Sequence, residues 1–400
     1  MIRILTLLLL TSSGLSAQDQ ELRTRIKQTL FAADPLPSLK PESHGSFEPE
    51  PGVIAERISY GTQFDMRIPA ILYRPKTPRA QSPAIIVVNG HGGDKYSWYP
   101  FYAGILYARA GAFVLTYDPT GEGERNMNHQ SGTRAHDKVE LIPELGQSLG
   151  GLMLTDVRQA VSYLSQRTDV DPKRIAAVGY SMGSFVLGIA CAVETRLKAC
   201  VLVGGGNLDG PGGYWDGSKP MCQGFPYKAL TFLGDRPTVL YSLHASRGPT
   251  LVYNGLEDTT VAIPRFGEVY FRELQDRVAK ARGKREGVFD AMFHPGTGHR
   301  PYFVTKPVAR WLEQHLDFPN WTASSIEGMP TTHISEWARA NSVDMDPLYA
   351  TEHREGGTPG LGAGIPGVKR SQLDVFSADE WKELRPMLVH ETWRQKARER

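Results

Sequence analysis

Three kinds of residue pattern are scarce in this 400-residue chain, and each scarcity excludes a class of protein. Long apolar runs are missing: the N-terminal stretch Ile4 to Leu10 is far shorter than the ~20 residues that a spanning helix needs, and no other segment is long enough. No stable membrane span is therefore expected. Cysteine is sparse, with only Cys191, Cys200 and Cys222. Their spacings match no CxxC metal or redox pair, so at most one disulfide is open to the chain. There is no HExxH, and the histidines do not fall at zinc-ligand spacings, so no metal is expected. Charge of one sign is also lacking: the formal net charge is +2 with 22% charged residues, which gives no basic field for nucleic acid.

The N-terminus has the layout of a secretory signal peptide. A charged start at Arg3 precedes the apolar segment, and small residues follow up to Ala17, after which cleavage is expected. This layout predicts a secreted or periplasmic protein. The remaining chain divides into an N-terminal extension over 18–51, a catalytic domain over 52–317, and an extension over 318–400 packed on the core. The last stretch is rich in glycine, proline and charge, yet its tryptophans imply packing. Within it, Gly362, Gly364 and Gly367 fit GxGxxG. No strand precedes them and Pro366 interrupts them, so a loop is expected and not a dinucleotide site.

Between residues 52 and 317, strand and helix patterns alternate. Apolar strand candidates lie at 82–90, 112–118, 175–178, 197–203, 250–254 and 287–293. Helical patterns lie at 99–110, 150–166, 185–194, 263–281 and 301–316, and an antiparallel pair over 57–75 leads the series. Such alternation predicts an α/β fold with a mostly parallel central sheet and helices on both faces. At its centre, Gly179-Tyr180-Ser181-Met182-Gly183 follows a strand and opens a helix. That is the setting of a nucleophile elbow, where a serine hydroxyl is raised on a strained turn. Ser181 is the candidate nucleophile.

A serine nucleophile needs a base and an orienting acid. In a sheet of this type both arrive after later strands, in the order Ser, Asp/Glu, His. Asp258 follows the strand at 250–254. It is preferred over its neighbour Glu257 because its shorter side chain orients an imidazole more rigidly and Val261 can pack beneath the turn. After the strand ending near Phe293, two histidines compete. His299 lies on a glycine-bracketed loop that can reach over Ser181, whereas His294 still belongs to the strand end. For the oxyanion hole, the backbone N–H of Met182 is one donor. The second is expected from the loop 89–94, with Gly93 ahead of Gly92 and His91 holding the turn. Tyr214 and Trp215, in an insertion over 205–247, are candidate walls of the substrate pocket.

With these residues in place, the chain resembles the α/β-hydrolase superfamily over about residues 52–317. Within it the chain looks like the branch of acetyl xylan esterases and dienelactone hydrolases, through the string Asp118 to Arg125, the Gly179 to Gly183 elbow and Gly298-His299-Arg300-Pro301. The resemblance implies the α/β-hydrolase fold and a Ser181–His299–Asp258 esterase without cofactor. Its substrate would be a small-molecule or carbohydrate ester, including acetylated polysaccharide. It also makes Asp118 and Arg125 ion-pair or turn residues. Two departures stand out: Gly93 where some members carry tyrosine, and the extension 318–400. The competing readings are a serine peptidase of the prolyl-oligopeptidase type and a non-catalytic binding protein on the same fold.

Overall fold

The computed structural model describes residues 11–137, 142–209, 220–301, 303–328 and 367–399. Nine strands form one sheet in the order β1-β2-β3-β5-β4-β6-β7-β8-β9. They are β1 (Glu42–Glu50), β2 (Val53–Gly61), β3 (Arg67–Pro75), β4 (Ser82–Val88), β5 (Phe113–Tyr117), β6 (Val170–Tyr180), β7 (Ala199–Val203), β8 (Thr250–Gly255) and β9 (Phe289–His294). The first three strands run antiparallel, and β3 pairs antiparallel with β5. From β5 onward the pairing is parallel. The α/β fold expected from the alternation is thus present.

Side-chain alternation explains why β4 is apolar from Pro83 to Val88. Ala84, Ile86 and Val88 enter one buried cluster and Ile85 and Val87 the other, because successive side chains leave a strand on opposite faces. One face is covered by α3 (Pro143–Ser165) and α4 (Met182–Val193), through Leu149, Leu152, Val157, Phe185 and Leu187. The other is covered by α2 (Trp98–Arg109), through Phe101 and Ile105, and by the helix Lys306–Leu316, through Val308, Trp311 and Leu312. A sheet covered on both faces forces such continuous apolar runs.

The N-terminal extension contributes to the sheet, which its composition does not suggest. β1 pairs with β2, with Phe47 opposite Ala55, and forms the sheet edge. Its sequence, ESHGSFEPE, lacks apolar alternation because most of its side chains are not buried. Before it, α1 (Thr11–Thr29) buries Ile26 and, just beyond its end, Leu30 follows into the same core. Arg23 donates to the carbonyls of Ala192 (3.1 Å) and Leu243 (2.9 Å). The first ten residues, which carry the charged start and apolar segment of the signal pattern, lie outside the described residues. So do residues 362–366 of the GxGxxG string. No helix among the described residues is long and apolar enough to cross a membrane.

Residues 367–399 are tied to the loop after β5 by a buried charge network. Lys95 Nζ lies 2.8 Å from Asp118 Oδ2 and 2.9 Å from Glu124 Oε2, all fully buried. Burial pulls the Lys95 ammonium down, but Asp118 and Glu124 overcome it, so its pKa ends above the ordinary value. Glu124 also accepts from the amides of Val375 (3.1 Å) and Phe376 (2.9 Å), and its carbonyl accepts from Trp381 Nε1 (2.9 Å). Asp118 and Arg125 are both structural residues, as the sequence suggests, but they do not pair carboxylate to guanidinium. Arg125 Nη1 reaches Asp156 Oδ2 (2.6 Å) and the carbonyl of Asp118 (3.2 Å), while the Asp118 carboxylate takes Lys95. All three cysteines are buried and free.

Candidate active site

The turn from β6 into α4 is strained at one residue. Ser181 has φ 52° and ψ −112°, a conformation that a side-chain-bearing residue rarely adopts and that costs on the order of 1–3 kcal/mol. Its neighbours make it possible. A Cβ on Gly179 would stand 2.5 Å from the carbonyl oxygen of Gly183, and one on Gly183 would overlap the carbonyl of Val88. Both positions therefore demand glycine. The amide of Ser181 donates to the carbonyl of Val203 on β7 (2.8 Å), and Ser184 Oγ donates to the carbonyl of Ser181 (2.7 Å). These bonds pin the serine at the carboxyl end of the sheet.

Three separated residues meet there. Ser181 Oγ lies 3.0 Å from His299 Nε2, and His299 Nδ1 lies 2.8 Å from Asp258 Oδ2. Asp258 is fully buried and Ser181 and His299 are half-buried, so the hydroxyl and imidazole face the cleft while the carboxylate is shielded. The other Asp258 oxygen accepts from the amide of Val261 (3.2 Å), and Val261 itself is buried. Glu257 is exposed, and His294 turns its Nδ1 towards the carbonyl of Pro295 (2.9 Å). The acid and base favoured by the sequence are the ones brought together. The order Nδ1 to carboxylate and Nε2 to hydroxyl is the one that lets an imidazole deprotonate a serine.

Two supports of this site are invisible in the sequence. The Asn254 side chain donates to the carbonyl of Gly205 and accepts from its amide, both at 2.9 Å, which fixes the loop after β7. Tyr180 donates from its hydroxyl to the carbonyl of His299 (3.2 Å) and packs its ring near the imidazole, with centroids 5.0 Å apart. Neither residue type at these positions signals a role before the loops are assembled.

The oxyanion loop needs a correction. The amide of Gly93 donates to the carbonyl of Gly90 (2.9 Å), and its Cα lies against the Tyr99 hydroxyl, so the expected donor is spent in a turn. The backbone that abuts the nucleophile is at Gly90, where a Cβ would stand 3.2 Å from Ser181 Cβ. The close approach thus comes three residues before Gly93, but the Gly90 amide itself donates to Tyr99 Oη (3.1 Å) and is not the free donor; Asn89-Gly90-His91-Gly92-Gly93 offers glycine at several positions, which the sequence alone does not tell apart. Met182 opens α4, so its N–H has no intrahelical acceptor. Tyr214 and Trp215 lie outside the described residues.

A strained serine after a central parallel strand, with a histidine and a buried aspartate from later strand ends, defines a hydrolase-type site on a doubly covered sheet. The sequence profile of the Alpha/beta hydrolase family matches residues 85–317, and the chain belongs to that family. It is 29% identical over 150 residues to the Bacillus subtilis protein named "Putative hydrolase YtaP", covering 34% of this chain and 47% of that one. This stretch spans less than half the length of that relative. Among solved structures, the methylesterase BT1017 superposes with TM-score 0.62 at 18% identity, over 96% of this chain and 74% of its own. An acetyl xylan esterase from Paenibacillus sp. R4 gives 0.52 at 16%, over 75% and 95%. At these identities the likeness is one of fold.

Proposed function

We propose that the protein is a serine carboxylic-ester hydrolase. The observation that carries this is the continuous Ser181–His299–Asp258 hydrogen-bonded chain at 3.0 and 2.8 Å. His299 Nε2 takes the Ser181 proton as Oγ attacks the ester carbonyl. The oxyanion is met by the N–H of Met182 and by the backbone of the loop that follows Gly90. Asp258 holds the Nδ1–H tautomer and stabilises the imidazolium. The imidazolium then protonates the leaving alcohol, and water, deprotonated by His299, releases the acid from the acyl-enzyme. None of these steps calls on a cofactor.

Carbohydrate esters are the substrate class we favour. The superposable proteins are named for methyl-ester and acetyl-xylan hydrolysis, and the N-terminal signal pattern supports export to where such polymers lie. The test is labelling of the full-length chain with a fluorophosphonate, mapping of the adduct by mass spectrometry, and assay of Ser181→Ala. The assay substrates are p-nitrophenyl acetate, acetylated xylan, methyl-esterified pectin and a peptide amide. We expect a single adduct on Ser181 and loss of ester turnover in the variant. An adduct elsewhere, or full activity in Ser181→Ala, would refute the mechanism, and turnover of the peptide alone would favour the peptidase reading.

A further inference from the structure

Beside the loop after β4, four side chains from three separate segments converge: His91, His136, Asp137 and Cys222. Each offers one ligand atom, and these atoms all lie within 4.8 Å of one another. His91 Nε2 is 3.0 Å from Cys222 Sγ, Sγ is 2.9 Å from Asp137 Oδ1, and His91 Nε2 is 3.5 Å from Asp137 Oδ2. The rings of His91 and His136 stack with centroids 5.6 Å apart.

The decisive atom is His136 Nε2. The other ring nitrogen, Nδ1, lies 3.1 Å from the carbonyl oxygen of Thr120, which only accepts, so Nδ1 carries the proton. Nε2 therefore presents a bare lone pair. It is fully buried and has no hydrogen-bond partner among the described residues. The Cys222 thiol does not satisfy it, because its S–H is directed at Asp137. Leaving a buried acceptor unpaired is destabilising. A Nδ1–H held by a backbone carbonyl with Nε2 free is also the usual outer-sphere arrangement of a histidine metal ligand.

We propose that His91, His136, Asp137 and Cys222 form a binding site for one divalent transition-metal ion, with zinc the best match. Two imidazoles, one thiol and one carboxylate are a borderline-soft donor set that suits zinc; calcium and magnesium require oxygen ligands. Zinc bonds of roughly 2.0–2.3 Å in a tetrahedron place donor atoms roughly 3.3–3.8 Å apart. The separations of 2.9 and 3.0 Å fall just below that range and that of 3.5 Å within it, and all four ligand atoms lie within 4.8 Å of one another. On binding, the Cys222 S–H bond breaks, a sulfur–metal bond forms and the proton leaves to solvent; no redox change occurs. The ion would clip together the loop after β4, the turn Ala135–Asp137 and the π-helical turn Pro220–Gly224. Because His91 follows Gly90, the clip would also tether the backbone that abuts Ser181.

The test reads metal, not turnover, so its outcome is independent of the esterase assignment. The purified full-length chain is stripped with a chelator, then titrated with zinc(II) against a chromogenic chelator and with cobalt(II) under absorption. We expect one equivalent of either ion, with tetrahedral cobalt bands in the visible and a thiolate-to-cobalt charge-transfer band in the near ultraviolet. Cys222→Ser should remove the charge-transfer band, and His136→Ala should weaken zinc binding at least tenfold, each checked for folding by circular dichroism. If a variant does not fold, the wild-type stoichiometry and charge-transfer band decide alone. Substoichiometric binding, no such band in the wild type, or a band that persists in Cys222→Ser overturns the proposal.

Discussion

Gly204 is packed directly against His299. At φ +62°, a Cβ placed on it would stand 3.0 Å from Cε1 and 3.2 Å from Nδ1 of the imidazole. The backbone after β7 therefore forms the wall that keeps the ring in line with Ser181 and Asp258. Gly204→Ala should push the ring by a few tenths of an ångström and strain a left-handed backbone, at ~1–2 kcal/mol of stability. The expected outcome in steady-state kinetics is a kcat at least tenfold lower with KM nearly unchanged. An unchanged kcat would mean that the ring position is set elsewhere.

The two histidines of the last loop are predicted to differ sharply. His299→Ala removes the group bonded to Ser181 and should lower kcat/KM by several orders of magnitude on p-nitrophenyl acetate. His294→Ala removes a side chain turned towards its own following carbonyl, and should stay within a few-fold of wild type. The reverse ranking would reassign the base.

Asp258→Asn keeps the size of the side chain but removes the charge facing His299 Nδ1. With the amide in the carboxylate's place, the imidazole loses its preference for the productive tautomer. A fall in kcat of about 10³–10⁴ is expected, with the thermal transition shifted much less than the rate. A loss below tenfold would show that the orienting role lies with another group.

Stability should depend on acidity through buried His244. Desolvation lowers its pKa from 6.5 to about 4, while its Nδ1 lies 2.8 Å from Thr250 Oγ1. The unfolded chain thus binds a proton near pH 6.5 that the native chain refuses until about pH 4. The contribution is complete above pH 6.5 and is lost as pH falls towards 4, by about 3 kcal/mol. Urea denaturation of wild type and His244→Asn across this window checks it: the variant should show the shallower decline. Equal slopes would exclude His244 as a source.

Glu124→Gln should loosen the C-terminal segment. The substitution removes one of the two carboxylate charges paired directly with buried Lys95 and weakens the bonds to Val375 and Phe376. A destabilisation of about 2–5 kcal/mol is expected. Hydrogen exchange should rise first at residues 375–381, ahead of the central strands. Uniform exchange behaviour across the chain would contradict this placement of the charge network.

The class of fold and the three residues that meet as the proposed triad are legible in the sequence, for a physical reason. A strand buried on both faces must be apolar throughout, as Ile85 to Val88 are, and a nucleophile elbow requires small residues around Ser181. Both demands are local, so they are written in adjacent residues. Acid and base follow from chain order after strand ends, which makes Asp258 and His299 nearly local inferences too. β1 was not legible, because an edge strand needs little apolar surface and Glu42–Glu50 has little.

What only tertiary structure decided are the meetings between segments. The sequence favours Gly93 as oxyanion donor, yet its amide is spent on Gly90, and which glycine of 90–93 touches Ser181 depends on how the loop docks. The association of His91, His136, Asp137 and Cys222 has no trace in spacing, since the residues lie on three segments joined only by folding. The wedge of Gly204 against His299 is of the same kind. The sequence by itself determined the sheet, its order of chemistry and the strained serine, because those depend on neighbours in the chain. Distances across loops depend on packing of the whole molecule, and there the structure alone could decide.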